Sequence, residues 1–226
     1  MYTGAFLGEN MLTEKDLLIC DTLPNIKEIS LELYKNFAEK YLMGKTFHYT
    51  FIDNTELNVK FTESGIYHML GIQHIDRKIK CDYFFDKITE GLSFADFEKN
   101  DAVNTRFKKG KKRITMFACV YNCLKTGTMF YIPSGKVRST ANVKMDYIVH
   151  EKLKNINPTG INQNGINIGL RKIDNDYIPL TVLISKESDL EKYIKSDELK
   201  LVNKLEIIDE ADNVIDFVSY AFKIIN

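Results

Sequence analysis

From Asn142 to Ser185 the chain alternates apolar and polar residues in three successive runs. Successive side chains of a strand point to opposite faces of a sheet, so each run predicts a strand with two unlike faces. In the first, Val143, Met145, Tyr147 and Val149 share one face, with Lys144, Asp146, Ile148 and His150 on the other. In the second, Ile166, Ile168 and Leu170 alternate with Asn167, Gly169 and Arg171. In the third, Ile178, Leu180, Val182 and Ile184 alternate with Tyr177, Pro179, Thr181, Leu183 and Ser185. One face of the three is apolar. The other collects a lysine, an aspartate, a histidine, an arginine, a tyrosine and a threonine, as in an antiparallel sheet with one covered and one wet face. Chemistry is expected on the wet face.

Upstream, the pattern changes period. Ile26, Ile29, Leu33, Phe37 and Tyr41 recur at helical spacing, while residues 1–25 carry little pattern and read as a loosely tied lead-in. Lys45–Phe51 and Glu56–Phe61 alternate as short strands across the loop Ile52-Asp53-Asn54-Thr55. Thr62-Glu63-Ser64 opens a short helix that Gly71 is placed to stop, and His74 follows in a loop. Residues 82–100 hold one or two short helices broken at Gly91. Residues 102–125 form the longest helix, with Val103, Phe107, Ile114, Phe117, Tyr121 and Leu124 as its buried stripe. Ser188–Lys195 reads as a polar helix, and Leu199–Ile208 with Val214–Phe222 as a closing hairpin. The expected domains are a lead-in (1–25), a core (26–186) and a helix-plus-hairpin extension of that core (187–226).

Composition narrows the classes. With 226 residues, 44% hydrophobic and 27% charged, the chain can bury a real core and is not disordered. Lys+Arg 31 against Asp+Glu 31 leaves no net charge, so a nucleic-acid site must be a local patch. The dense basic run is Lys108-Lys109-Gly110-Lys111-Lys112-Arg113, ordinarily a solvated helix face and alternatively a phosphate-facing patch. Cys20, Cys81, Cys119 and Cys123 have neither disulfide-like nor zinc-like spacing. No signal-peptide pattern or membrane-length apolar run is present, so a soluble cytoplasmic protein without membrane association is expected. The sequence lacks a phosphate loop, a dinucleotide glycine fingerprint, HExxH and GxSxG, and no cofactor or metal is expected.

His68 and His74 flank one helix stop. Each alone reads as a packing or loop residue; together with the sheet cations they suggest RNA cleavage. That reaction needs a base for the ribose 2′-hydroxyl, an acid for the leaving 5′-oxygen and donors for the phosphoryl charge. His68 and His74 fit the first two roles, with Lys144, Tyr177 and Thr181 as further catalytic candidates. Arg171 can grip two phosphate oxygens, and Arg138, Asp146, Tyr147, Lys111 and Lys112 complete the substrate-binding candidates. The plain alternative for Asp146 is an ion pair holding Lys144.

The segments His68-Met69-Leu70-Gly71, Lys144-Met145-Asp146-Tyr147 and Tyr177-Ile178-Pro179-Leu180-Thr181 resemble, in order, motifs of a family. It is the fourth class of phage-associated nucleases of the barnase–EndoU–colicin–RelE-like group, and the likeness spans about residues 30–186. The resemblance implies helices packed on a mainly antiparallel sheet, a metal-independent ribonuclease or toxin-like role, and catalytic positions at His68, Lys144, Tyr147 and Thr181. Met145 departs from the family's small residue, and nothing in the family pattern accounts for the tail beyond Ser188. Strand parity places Tyr147 on the apolar face. The expectation is therefore an α+β protein acting on tRNA or mRNA, with a neutralising or target protein as a second partner. The alternatives are a catalytically silent binder of a host or phage protein, and RNA binding without cleavage through Lys108–Arg113.

Overall fold

A computed structural model describes residues 11–133, 144–154, 164–186 and 199–220. Among these, nine strands form one sheet: β1 (Thr46–Phe51), β2 (Glu56–Lys60), β3 (Thr128–Tyr131), β4 (Tyr147–Lys152), β5 (Asn164–Ile173), β6 (Asp176–Lys186), β7 (Leu199–Lys200), β8 (Val202–Ile208) and β9 (Val214–Ser219). Their order is β7-β3-β4-β5-β6-β2-β1-β8-β9. Every pair is antiparallel except β2 with β6, which run parallel at Val59 and Tyr177. β7 bonds β3 while β8 bonds β1, and Leu201 alone separates β7 from β8. One length of chain thus joins both ends of the sheet, which curls round on itself. β9 and the two-residue β7 are the ends of the strand order, and β9 is the longer free edge.

This arrangement shows where the expected hairpin extension sits. The hairpin of β8 and β9 forms as the sequence predicts, but it belongs to the central sheet, with Leu205 and Ile207 fully buried against β1. The polar helix expected at 188–195 lies outside the described residues.

The helices are α1 (Glu14–Leu17), α2 (Leu31–Phe37), α3 (Glu63–Leu70), α4 (Ile72–Ile75), α5 (Phe84–Thr89), α6 (Phe94–Glu98), α7 (Asp101–Phe117) and α8 (Val120–Thr126). Ser30 caps α2, which runs on into a wider turn over Ala38–Leu42. The Tyr34 hydroxyl donates to the Ile114 carbonyl at 2.8 Å, fastening α2 to α7. Thr62 caps α3 by accepting from the Gly65 amide, and Gly71 ends it at φ +73, where a Cβ is disfavoured. His74 sits on the short α4 rather than in a loop. The predicted long helix divides at Ala118–Cys119 into α7 and α8.

The lead-in is tied more firmly than its pattern suggests. Thr13 and Asp16 close a capping box around α1, the Leu12 amide donates to the Glu28 carbonyl, and Leu17 is fully buried. One well-placed leucine anchors the segment, and a single residue has no periodicity to read. Leu17→Ala should lower stability by about 2–5 kcal/mol through the cavity it leaves. At about 2–4 °C per kcal/mol for a chain of this size, a thermal melt resolves that loss easily.

The expected wet face is not wet. One large buried cluster runs from Leu17 to Ile207 and takes in Val149, Ile166, Ile168, Leu170 and Val182. A second, formed by Ile132, Met145, Ile148 and Leu183, occupies the opposite face of β4–β6. His150, Asn167, Thr181 and Ser185 on that face are buried too. The register shifts between Gly169 and Leu170, because Thr181 pairs with Gly169 while Pro179 pairs with Leu170. Leu180 is the extra residue of a bulge, and a one-residue slip flips every side chain beyond it. Tyr177, predicted on the mixed face, therefore packs against the main core.

Candidate functional site: a cationic cleft beside two histidines

α7 crosses the C-terminal end of α3 and the short α4. Gly110 lies in the middle of α7, where a Cβ would come within 3.3 Å of Ile75 on α4. Its absence lets the two helices approach. Gly71 meets α7 similarly, since a Cβ there would lie 2.9 Å from Cδ of Arg113. Between these contacts opens a cleft of about 420 Å³ lined by His74, Arg106, Lys109 and Arg113, with Ile184 of β6 among the apolar lining residues. No carboxylate lines it.

Arg106, Lys109 and Arg113 are spaced three and four apart, so one stripe of α7 presents all three. The Arg106 Nε donates to the Ile75 carbonyl at 2.7 Å, which fixes its guanidinium at the rim. Neither Lys109 nor Arg113 makes an ion pair with a described carboxylate. Burial lowers the pKa of Arg113, though an arginine stays charged throughout the neutral range. Such a concentration of unneutralised positive charge, partly withdrawn from water, favours an anion.

The imidazoles are tuned by the same surroundings. Desolvation lowers the His74 pKa first, and the charges of Arg113 and Arg77 lower it further. His68, half-buried on the last turn of α3, is lowered by desolvation and then by His74. Both rings are thereby held toward the neutral, proton-accepting form at neutral pH.

The other sequence candidates are placed elsewhere. The cleft lining includes none of Lys144, Arg171, Tyr177 and Thr181. Thr181 is 4% exposed and has the opposite strand parity to Ile184, so it faces away from the cleft, beside Gly169 and Met145. Tyr147 does lie on the apolar face as parity predicts, with its ring 5.2 Å from those of Tyr131 and Tyr177 and 6.2 Å from that of Phe51. Burial and the neighbouring tyrosines push its phenol up to about 12. Lys144 and Arg171 are exposed. Asp146 accepts from the Lys172 backbone amide at 2.7 Å, so its carboxylate pins β5 to the start of β4 in place of the expected ion pair with Lys144. Lys111 lies 3.4 Å from Glu98 and over the Phe107 ring, turned from the cleft by that pairing. Lys112 is exposed, and Arg138 lies outside the described residues.

A polar chain on the second face was not singled out by the sequence. His150 Nδ1 bonds Asn167 Oδ1 at 2.9 Å, and Asn167 Nδ2 donates to Ser185 Oγ at 3.1 Å. His150 Nε2 is buried without a partner among the described residues, and burial lowers the ring's pKa. The unfolded chain therefore takes up this proton first as pH falls. The His150 contribution to stability is complete above about 6.5 and is lost as pH drops through the lower folded value. Urea midpoints measured from pH 7.5 to 5 should fall, and His150→Gln should flatten the slope. His68 and His74 leave a smaller residue of the same sign.

No family model, curated protein or solved structure matches the chain. Fold and site together define an α+β protein with a curled nine-stranded sheet and a cationic cleft lined by His74, with His68 outside the lining on the last turn of α3. Among the described residues, no helix is long and apolar enough to cross a membrane, and no cluster of three or more His, Cys, Asp or Glu side chains could hold a metal ion.

Proposed function

We propose that the protein is an endoribonuclease that cleaves RNA without a metal, and that the His74–Arg113 cleft is its active site. The observation that carries this reading is the cleft itself: three cations, no lining carboxylate and a histidine whose pKa is lowered. His74 takes the proton of the ribose 2′-hydroxyl, whose oxygen attacks the adjacent phosphorus. The bond to the 5′-oxygen breaks, and that oxygen receives a proton from His68, leaving a 2′,3′-cyclic phosphate and a 5′-hydroxyl. Arg113, Lys109 and Arg106 bear the charge that builds on the phosphoryl oxygens. The negative charge of the bound phosphate favours the protonated form of His68, against the desolvation and the His74 charge that lower its pKa, so His68 can carry the proton it donates.

The resemblance of residues 68–71, 144–147 and 177–181 to phage-associated barnase–EndoU–colicin–RelE-like nucleases supports the same activity, a BECR-type fold and a cytoplasmic site of action. It assigns catalysis to Lys144, Tyr147 and Thr181 beside His68, whereas the cleft favours α7. Incubation of labelled tRNA and mRNA fragments with the protein in EDTA tests the reading. Products ending in 2′,3′-cyclic phosphate are expected, and intact RNA at high protein concentration would refute it.

One observation favours a second reading, a catalytically silent module that binds a host or phage protein. Val214, Ile215 and Phe217 are more than half exposed on β9, the longer free sheet edge. Unpaired backbone beside exposed apolar side chains suits strand addition by a partner. That reading predicts no cleavage product.

A further inference from the structure

Cys20 and Cys119 stand 99 residues apart in the chain, yet their sulfurs lie 3.6 Å from each other. Both thiols also approach one acceptor, the Thr22 carbonyl, at 3.1 and 3.4 Å. Cys20 is half-exposed and Cys119 is 1% exposed beneath it. Their scaffolds are rigid in different ways. Cys20 follows the single turn of α1, anchored by Leu17, while Cys119 occupies the joint between α7 and α8. The remaining thiols lack this arrangement: Cys123 is buried against the Val149 carbonyl, and half-exposed Cys81 donates to Asp82.

We propose that Cys20 and Cys119 form a hydroperoxide-oxidisable pair, with Cys20 as the attacking thiol and Cys119 as the resolving one. The inference is independent of the ribonuclease reading. The contact with the Cys119 sulfur lowers the Cys20 pKa against the opposing effects of burial, Asp21 and Asp16. The same contact and burial raise the pKa of Cys119. The outer sulfur is then the better nucleophile and the one a peroxide reaches.

In the first step the Cys20 thiolate attacks one oxygen of the hydroperoxide. The O–O bond breaks, and the second oxygen leaves with a proton as water or an alcohol, giving a sulfenic acid at Cys20. In the second step the Cys119 sulfur attacks the Cys20 sulfur. The S–O bond breaks, and hydroxide leaves with the Cys119 proton as water. Two electrons pass from the two thiols to the peroxide. The sulfurs must close from 3.6 Å to the roughly 2.05 Å of a disulfide. Cys20 lies just past the single turn of α1, so a shift of that short segment suffices to close the gap. The bond then staples residues 11–20 to the α7–α8 joint.

The test treats the full chain with hydrogen peroxide at a few equivalents and maps its peptides without reduction. The expected result is a Cys20–Cys119 peptide, two titratable thiols left of four, and reversal by dithiothreitol. The oxidised protein should melt roughly 5–10 °C higher, since a cross-link spanning about 100 residues restricts the unfolded chain. Cys20→Ser should abolish both effects, and Cys119→Ser should leave a dimedone-reactive sulfenic acid at Cys20. Oxidation that begins at Cys81, or pairs chains through it, would overturn the proposal. So would a wild-type protein that keeps all four thiols under conditions that oxidise an unfolded control. Mapping of wild type alone decides the matter if a serine variant fails to fold.

Discussion

On the proposed ribonuclease reading, His74→Ala should slow RNA cleavage by about 10²–10⁴-fold, the range lost when a general base or acid is removed. The side chain is exposed on a four-residue helix, so its removal should change stability by no more than about 0.5 kcal/mol. A large loss of rate with an unchanged melt is therefore the expected signature. Arg113→Ala should cost about 10²–10³-fold, as loss of one donor to a developing phosphoryl charge does. Arg113→Lys should restore only part of it, because an ammonium cannot engage two oxygens in a plane. The pH profile adds a check that a structural role would not move. The wild-type acidic limb should lie below 6.5, since desolvation and the arginines depress His74, and that limb should vanish in His74→Ala. If both variants cleave at the wild-type rate, the cleft is not the active site. The sheet residues Lys144 and Thr181 would then be the next to substitute.

Ending the chain at residue 198 abolishes cooperative unfolding. The structure gives the reason. Removal of β7–β9 strips β1 of its outer partner and β3 of its own, and deletes the buried side chains of Val202, Leu205 and Ile207. Each such loss is worth about 2–5 kcal/mol at a full cavity. Three together reach the whole stability of an ordinary domain, about 5–15 kcal/mol. The truncated chain should bind a hydrophobic dye and melt without a sharp transition. A cooperative melt of the 1–198 chain within a few degrees of wild type would show that sheet closure is dispensable.

The sequence by itself determined the parts that local chemistry controls. Alternation placed β1, β2, β4, β5, β8 and β9, helical spacing placed α2 and α7, and the Thr62 opening with the Gly71 stop placed α3 between them. These follow from backbone period and from the one residue type comfortable at positive φ. The candidate site was legible in its histidines and in the basic run Lys108–Arg113, which supplies Lys109 and Arg113 to the cleft. Arg106, Lys109 and Arg113 carry a readable three-and-four spacing on α7, but no local rule says which face of a basic helix meets a cleft. Tertiary structure alone decided that Tyr177 turns inward, because one extra residue at Leu180 reverses strand parity and the register of β5 with β6 is a long-range property. It alone buried the second face of the sheet, curled the ends together through Leu201, and set Cys20 against Cys119. Local period fixes which way a side chain points along its own element. What it then meets depends on contacts that the chain makes only after it has closed.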